Sequence, residues 1–314
     1  MSMPMRFLAI GECMVEFSPT PSGTYAVGFA GDTFNTAWYA RQLTDTEKLD
    51  VGYLSAVGDD AVSGQLTDFI EAAGIRPLMA RVPGAAPGMY MIFLSEGERS
   101  FQYWRSQSAA RHLADDLTAL ETAGEGDLLY FSGITVAILA EAARDRLLAA
   151  LQAAAGRGAE IVFDPNLRPR LWPASDEMCR WTMKAASVAG IVLPSFEDEA
   201  SHFKDTDEAA TAARYLANGA RLVVVKNGAG PILVRGADGD SFQYQPEPAS
   251  TVVDTTAAGD SFNAAFLVEY MERARTREAV RAGCALAAHV IGSRGALVPV
   301  TRMDLIACRN RLSA

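Results

Sequence analysis

Val253-Asp254-Thr255-Thr256-Ala257-Ala258-Gly259-Asp260-Ser261-Phe262 places small residues and an acid directly before a helical pattern. Phe262, Phe266 and Tyr270 recur at four-residue spacing while Glu269, Glu272, Arg273 and Arg275 fall mainly elsewhere, which predicts a helix from about Ala258 with one buried face. The first N–H groups of a helix lack intrahelical partners and sit at the positive end of its dipole, so an anion is held there. Ala257, Ala258 and Gly259 leave that backbone accessible, as a cradle for a phosphate or for the charge on a phosphoryl group in transfer. Asp260, in the first turn, is placed to take a proton from an attacking hydroxyl as general base. A plainer reading stands beside this one: Thr255 or Thr256 caps a core helix and Asp260 complements its dipole.

Outward from this segment, short apolar runs alternate with longer helical patterns. Phe7 to Ile10, Val51 to Val57, Leu128 to Phe131, Ile161 to Phe163, Ile191 to Leu193 and Leu222 to Val225 read as strands, and Ala/Leu-rich segments such as Ile138 to Ala155 read as helices. The alternation predicts an α/β fold, a mostly parallel sheet flanked by helices. Ligands of open parallel sheets sit outside the carboxyl ends of the strands. The residues there are polar: Asp164-Pro165-Asn166-Leu167-Arg168, Pro194-Ser195-Phe196-Glu197 and Lys226-Asn227-Gly228-Ala229-Gly230. Pro, Asn and Gly also dominate ordinary turns, so each end keeps a structural reading beside the functional one. Two regions break the rhythm. Glu12 to Gly31, and Gly88 to Tyr103 with strand-like Met89 to Leu94 and Arg99 to Trp104 around a Glu96-Gly97-Glu98 turn, predict β-hairpins outside the main sheet.

With 314 residues and 49% hydrophobic content the chain buries a substantial core, which excludes a disordered protein. A net charge of −10 with no Lys/Arg run argues against a nucleic-acid partner. Cys13, Cys179, Cys284 and Cys308 show no CxxC spacing, so neither a zinc site nor a disulfide framework is expected and a reducing cytoplasm fits best. The stretch from Met1 to Arg6 is too short for a signal peptide and no 18-residue apolar run follows, which predicts a soluble protein with no membrane partner. Gly11-Glu12-Cys13 after the first strand lacks the GxGxxG fingerprint of a Rossmann dehydrogenase.

The segment from Asp254 to Asp260 resembles the C-terminal DTxGAGD signature of the ribokinase-like, or PfkB-type, carbohydrate kinases, with Ala257 in place of its first glycine. A methyl group there restricts the backbone without closing a cradle built from N–H groups. The resemblance covers essentially the whole chain. Ala30-Gly31-Asp32-Thr33-Phe34-Asn35-Thr36-Ala37 is similar to the family's N-terminal sugar-binding motif, with Asn35 opening a helix, and Val57-Gly58-Asp59-Asp60 followed by Gly64 matches a recurrent turn. Within the family the chain resembles the 2-keto-3-deoxygluconate kinases, through Glu98-Arg99-Ser100-Phe101-Gln102-Tyr103-Trp104-Arg105-Ser106, Ala109 and Ala110, Asp164 to Arg168, Leu193-Pro194-Ser195 and the alanine form of the signature.

The resemblance implies one ribokinase-like domain over residues 1–314, with segments of about 12–32 and 85–108 forming a small β lid over the sugar. It implies ATP-dependent phosphorylation of 2-keto-3-deoxygluconate at its 6-hydroxyl, with Mg²⁺, and Asp260 as base beside the Ala257, Ala258 and Gly259 cradle. The sugar pocket carries over to Gly31, Asp32, Asn35, Tyr90, Tyr103, Arg105, Ile134 in a Ser132-Gly133-Ile134 turn, and Arg168. Arg pairs with carboxylates in a bidentate way, so Arg105 suits the acid group of a sugar acid and Arg168 suits either that group or a nucleotide phosphate. The ATP side carries over to Asn166, Arg168, Ser195, Lys226, Gly228, Gly230, the cradle and His289, which has an equal reading as a half-packed helix histidine. Ser195 and Asp198 occupy the positions of a family Asn-x-x-Glu motif tied to magnesium and phosphate binding, and Asp254 and Thr256 those near a monovalent cation such as K⁺. Open alternatives are a kinase for fructose, ribose or 2-ketogluconate, and a catalytically silent sugar-binding regulator. Exposed lid edges make a homo-oligomer through the lid the expected assembly.

Overall fold

The computed structural model describes residues 5–95, 98–273 and 275–300. The strands are β1 (Met5–Ile10), β2 (Met14–Pro19), β3 (Tyr25–Ala30), β4 (Leu49–Val57), β5 (Arg76–Arg81), β6 (Met89–Ser95), β7 (Glu98–Trp104), β8 (Leu128–Ser132), β9 (Glu160–Asp164), β10 (Ile191–Val192), β11 (Leu222–Val225), β12 (Ile232–Gly236) and β13 (Ser241–Tyr244). The helices are α1 (Asp32–Leu43), α2 (Ala61–Ala72), α3 (Thr118–Glu121), α4 (Gly133–Ile138), α5 (Glu141–Gly156), α6 (Ser175–Ala186), α7 (Phe196–His202), α8 (Glu208–Ala217), α9 (Ala258–Arg273) and α10 (Thr276–Val290).

Nine strands form the main sheet in the order β13-β12-β11-β10-β9-β8-β1-β4-β5. From β5 across to β11 every neighbouring pair is parallel, and β12 and β13 extend the sheet antiparallel. All six predicted runs lie in this parallel part. Side chains alternate across it: Phe7 and Ala9 of β1 join the core under α1, α2, α9 and α10, while Leu8 and Ile10 join the opposite core under α5, α6 and α8. After β1 the chain builds β4 and β5 on one side, then returns to build β8 onward on the other. The order therefore reverses between β1 and β8, where a crevice opens at the strands' carboxyl ends.

The two irregular regions pair into a second, four-stranded sheet, β3-β2-β6-β7, joined at its centre by a parallel β2–β6 contact. Its inner residues Met14, Ala30, Tyr90 and Ile92 pack on Ala296, with Ala257 against their edge. Of the predicted β6–β7 turn, Glu96 and Gly97 lie outside the described residues, as does Cys308.

Several boundaries differ from the sequence reading. Asn35 does not open α1: the helix starts at Asp32, and Asn35 closes its first turn through a 2.7 Å bond from its N–H to the Gly31 carbonyl. The predicted helix from Ile138 to Ala155 is α5, which begins later, at Glu141, because Ile138 closes α4 and Leu139 and Ala140 separate the two. Ser132-Gly133-Ile134 is not a turn but the start of α4, where Ser132 and Thr135 cap each other reciprocally. In α9 the expected single buried face is absent, since every residue from Ser261 to Glu269 is buried. The helix is flanked by α1 and α10 in the core on one face of the sheet, and Glu269 ion-pairs with Arg273 at 3.3 Å instead of facing solvent. No helix among the described residues is long and apolar enough to cross a membrane.

Candidate active site

Helix α9 enters the crevice through a left-handed residue. Ala257 has φ 59°, so the chain turns sharply before α9 begins at Ala258. Asp254 sets up that turn: its Oδ1 accepts from the Thr256 N–H (3.1 Å) and hydroxyl (2.7 Å), and its Oδ2 from the Gly295 N–H (2.8 Å). Among the described residues the N–H groups of Gly259 and Asp260 donate to nothing, whereas those of Ala258 and Ser261 reach the carbonyls of Thr255 and Ala257. A Cβ built on Gly259 meets no atom nearer than Lys226 Nζ at 3.8 Å, so the cradle is open to a ligand. Two free donors at a helix N-terminus are a fitting seat for a phosphoryl group.

Asp260 faces α1 across the crevice. Asn35 Nδ2 donates to its Oδ2 (2.8 Å), and the Thr36 hydroxyl donates to its backbone carbonyl (3.3 Å). Asn35 is oriented in turn by the Gly31 N–H on its Oδ1 (3.3 Å). Gly31 has no room for a side chain, because a Cβ there would lie 2.1 Å from the Glu12 carbonyl. Burial pushes the Asp260 carboxyl up to about 8; Asp32 adds to the shift, the Asn35 hydrogen bond opposes it, Asp164 adds again and Lys226 opposes. A carboxylate with that affinity for a proton is a competent base near neutral pH.

Beneath the cradle lies a buried polar cluster. Asp164, the last residue of β9, accepts through Oδ2 from Lys226 Nζ (3.1 Å) and Asn263 Nδ2 (2.6 Å), and through Oδ1 from the Asn166 N–H (3.1 Å). Asn263 also accepts from Lys226 Nζ (3.1 Å) and donates to the Tyr130 hydroxyl (3.0 Å). Asn166, at φ 36°, turns its amide to Asp32 Oδ2 (2.8 Å). Lys226, expected on the open nucleotide side, is thus turned inward and buried.

The small sheet closes the other side. Tyr90 and Tyr103 are cross-strand partners with ring centroids 5.6 Å apart; Tyr90 is buried and donates to Glu16, while Tyr103 is exposed. Arg105 lies one residue past β7, not on it, and ion-pairs with Glu12, whose side chain is only 1% exposed. Glu12 Oε1 and Arg105 Nε remain buried without a hydrogen-bond partner among the described residues. A cleft of about 1290 Å³ runs along β7 and is lined by Arg105, Arg111, Ile134, Arg168 and Arg170 among others. Arg168 is half exposed, 3.9 Å from Asp198, whose carboxyl burial pushes up while Arg168 holds it down.

Ser195 is the N-cap of α7 and bridges to Lys226 through the backbone, while Gly228 (φ 53°) and Gly230 shape the turn after β11. His289 is half-buried near the end of α10. Sequence reasoning missed Glu12 and Asn263. Glu12 had a legible signal, a charge between Gly11 and Cys13 directly after the apolar run Phe7 to Ile10; Asn263 had none, since its partners lie 37, 99 and 133 residues away. No group of three His, Cys, Asp or Glu side chains among the described residues is placed to hold a metal.

Residues 6–302 match the family described as pfkB family carbohydrate kinase. A 2-dehydro-3-deoxygluconokinase of Haemophilus influenzae is 36% identical over 295 residues, covering 92% of this chain and 94% of that one. The crystal structure of a PfkB protein from Polaromonas sp. JS666 superposes with a TM-score of 0.81 at 27% identity, covering 96% of this chain and 99% of that one. A fructokinase with bound ATP from Xylella fastidiosa gives a TM-score of 0.84 at 20% identity over 98% and 99% of the two chains. The mostly parallel sheet flanked by helices is therefore that of the ribokinase-like kinases, and the chain belongs to the pfkB family of carbohydrate kinases.

Proposed function

We propose that the chain transfers the γ-phosphoryl group of ATP to the 6-hydroxyl of 2-keto-3-deoxygluconate, the compound also called 2-dehydro-3-deoxygluconate. The observation that carries this reading is the likeness to the Haemophilus influenzae 2-dehydro-3-deoxygluconokinase along nearly the full length of both chains. The geometry supports it. Asp260, aligned by Asn35, takes the hydroxyl proton as the oxygen attacks, and the Gly259 and Asp260 N–H groups receive the charge on the transferred group. Phosphoryl transfer asks chiefly for such positioning and charge stabilisation. Magnesium, when bound, neutralises charge on the phosphate oxygens. Asn166, Ser195, Gly228, Gly230 and His289 serve the nucleotide side in this reading, and the Asp254–Thr256 turn is the proposed place of a monovalent cation.

On the sugar side the unpartnered Arg105 Nε supports a contact to an acid group, with Arg168, Tyr90, Tyr103 and Ile134 around it and the small sheet as a lid. The Glu12 carboxylate on the same Arg favours a second reading, a neutral sugar such as fructose, because it neutralises the guanidinium and repels an anion. ADP production from ATP and Mg²⁺ with 2-keto-3-deoxygluconate, 2-keto-3-deoxygalactonate, 2-ketogluconate, fructose or ribose separates the two. The expected result is preference for a keto-deoxy acid, with Arg105→Ala raising KM for the acid far more than for fructose. A preference for fructose replaces the first reading by the second. Pairing of exposed small-sheet edges into a homodimer and a cytoplasmic location complete the proposal; sedimentation as a monomer at micromolar concentration removes the dimer.

A further inference from the structure

We propose that Lys226, held by Asp164 and Asn263 beneath the first turn of α9, is a positioning residue that draws the Asp260 carboxyl toward its proton-accepting form. This rests on the reading of Asp260 as the base. Two of the three Lys226 donors are used, at 3.1 Å to Asp164 Oδ2 and 3.1 Å to Asn263 Oδ1. Asn263 lies one helical turn after Asp260 on the same face of α9, and its amide is fully engaged by Lys226, Asp164 and Tyr130. The ammonium therefore cannot drift: Asp164 fixes it from the end of β9 and Asn263 from the helix that carries the base. A Cβ on Gly259 would stand 3.8 Å from Nζ, which puts the charge directly under the cradle.

The groups acting on Asp260 come from four elements besides its own. Asp32, Asn35 and Tyr39 come from α1, Tyr130 from β8, Asp164 from the end of β9 and Lys226 from the end of β11. Two of these are carboxylates, and each disfavours a third negative charge at Asp260; Lys226 is the one cation among them. With Lys226 neutral, three carboxylates would share the crevice floor and Asp260 would hold its proton to higher pH. With Asp164 neutral and Lys226 intact, Asp260 would ionise at lower pH. Opposite shifts from two residues in one ion pair are a signature that a role in folding alone does not give.

The test is the pH dependence of kcat/KM, whose acid limb reports the base in the free enzyme. Lys226→Met is expected to move that limb up by about one pH unit or more, a roughly tenfold loss at pH 7 that is regained as pH rises. Asp164→Asn is expected to move it down, and Lys226→Arg to leave it near the wild-type position. An equal loss at every pH in Lys226→Met overturns the proposal, since the lysine would then act on the phosphoryl group or only on the fold. So does a limb that Asp164→Asn moves upward or leaves in place. If Lys226→Met does not fold, because Asp164 is left buried and unpaired, the nearly isosteric Asp164→Asn decides alone. A wild-type chain with no sugar-dependent ADP production defeats the kinase reading instead, whereas wild-type turnover with an unresponsive limb defeats only this inference.

Discussion

Asp260 and Ala257 are both held at a cost to stability. The folded Asp260 carboxyl binds its proton up to about pH 8, against an ordinary value near 4, so between those pH values the folded chain carries a proton that the unfolded chain has lost. The stability this gives is complete below about pH 4 and disappears as pH rises through 8. Asp260→Asn removes the titration; it is expected to cut turnover by about 10²–10⁴-fold while raising the melting temperature more at pH 8 than at pH 5. A melting difference that is the same at both pH values would show that the carboxyl is not held neutral by burial. Ala257 is strained in another way, since a left-handed residue bearing a Cβ costs roughly 1–2 kcal/mol. Ala257→Gly is expected to stabilise the chain by about 1 kcal/mol, a rise of about 2–4 °C in melting temperature, with kcat retained. A lower melting temperature would mean that the Ala257 methyl group, packed against the small sheet's inner residues, outweighs the strain it carries.

At the scale of elements, α9 couples the base to the core through its packing on α10. Gly283 of α10 faces the ring of Phe262, two residues after Asp260, so closely that a Cβ there would stand 2.7 Å from a ring carbon. Gly283→Ala is expected to displace that ring, destabilise the fold by about 1–3 kcal/mol and lower kcat more than it raises KM, because it moves the first turn of α9. Unchanged kinetics in a folded variant would show that the ring moves without the helix. The same helix marks the limit of what the sequence made legible. Its start at Ala258 followed from small residues running into a four-residue apolar spacing, which stacks Phe262, Phe266 and Tyr270 in the structure. Its burial on all sides did not follow, because periodicity does not reveal that two neighbouring helices, α1 and α10, pack along its flanks. Strands behave alike. The central runs of Val, Ile and Leu were read, but β5, β12 and β13 were not, since they lie toward the sheet's edges and carry Arg76, Arg235 and Ser241 among their apolar residues. The site was legible where one segment supplied it, as from Asp254 to Asp260; Asp164 and Lys226 were each read at their own strand ends, but their joining through Asn263 was not, because the three are distant in sequence.

For the molecule as a whole, the ion pair between Glu12 and Arg105 joins the two sheets. Glu12 follows β1, beside the reversal in strand order of the main sheet, and Arg105 follows β7 at the edge of the small one. Their side chains are 1% and 11% exposed, so each charge depends on the other for compensation. Removing one partner of a buried pair leaves an uncompensated charge and costs about 3–5 kcal/mol, whereas replacing both with apolar groups of similar volume is often neutral. Glu12→Gln and Arg105→Met are therefore each expected to lower stability by about that amount, and the double variant by much less, in chemical denaturation. Function divides the same variants differently. If the substrate is a sugar acid, Glu12→Gln frees the guanidinium and lowers KM for the acid, while both variants lacking Arg105 lose the preference for it. Stabilities that add without coupling would show that the small sheet is held by the apolar contacts of Met14, Tyr90 and Ile92 on Ala296, in the segment after α10, and not by this charge pair.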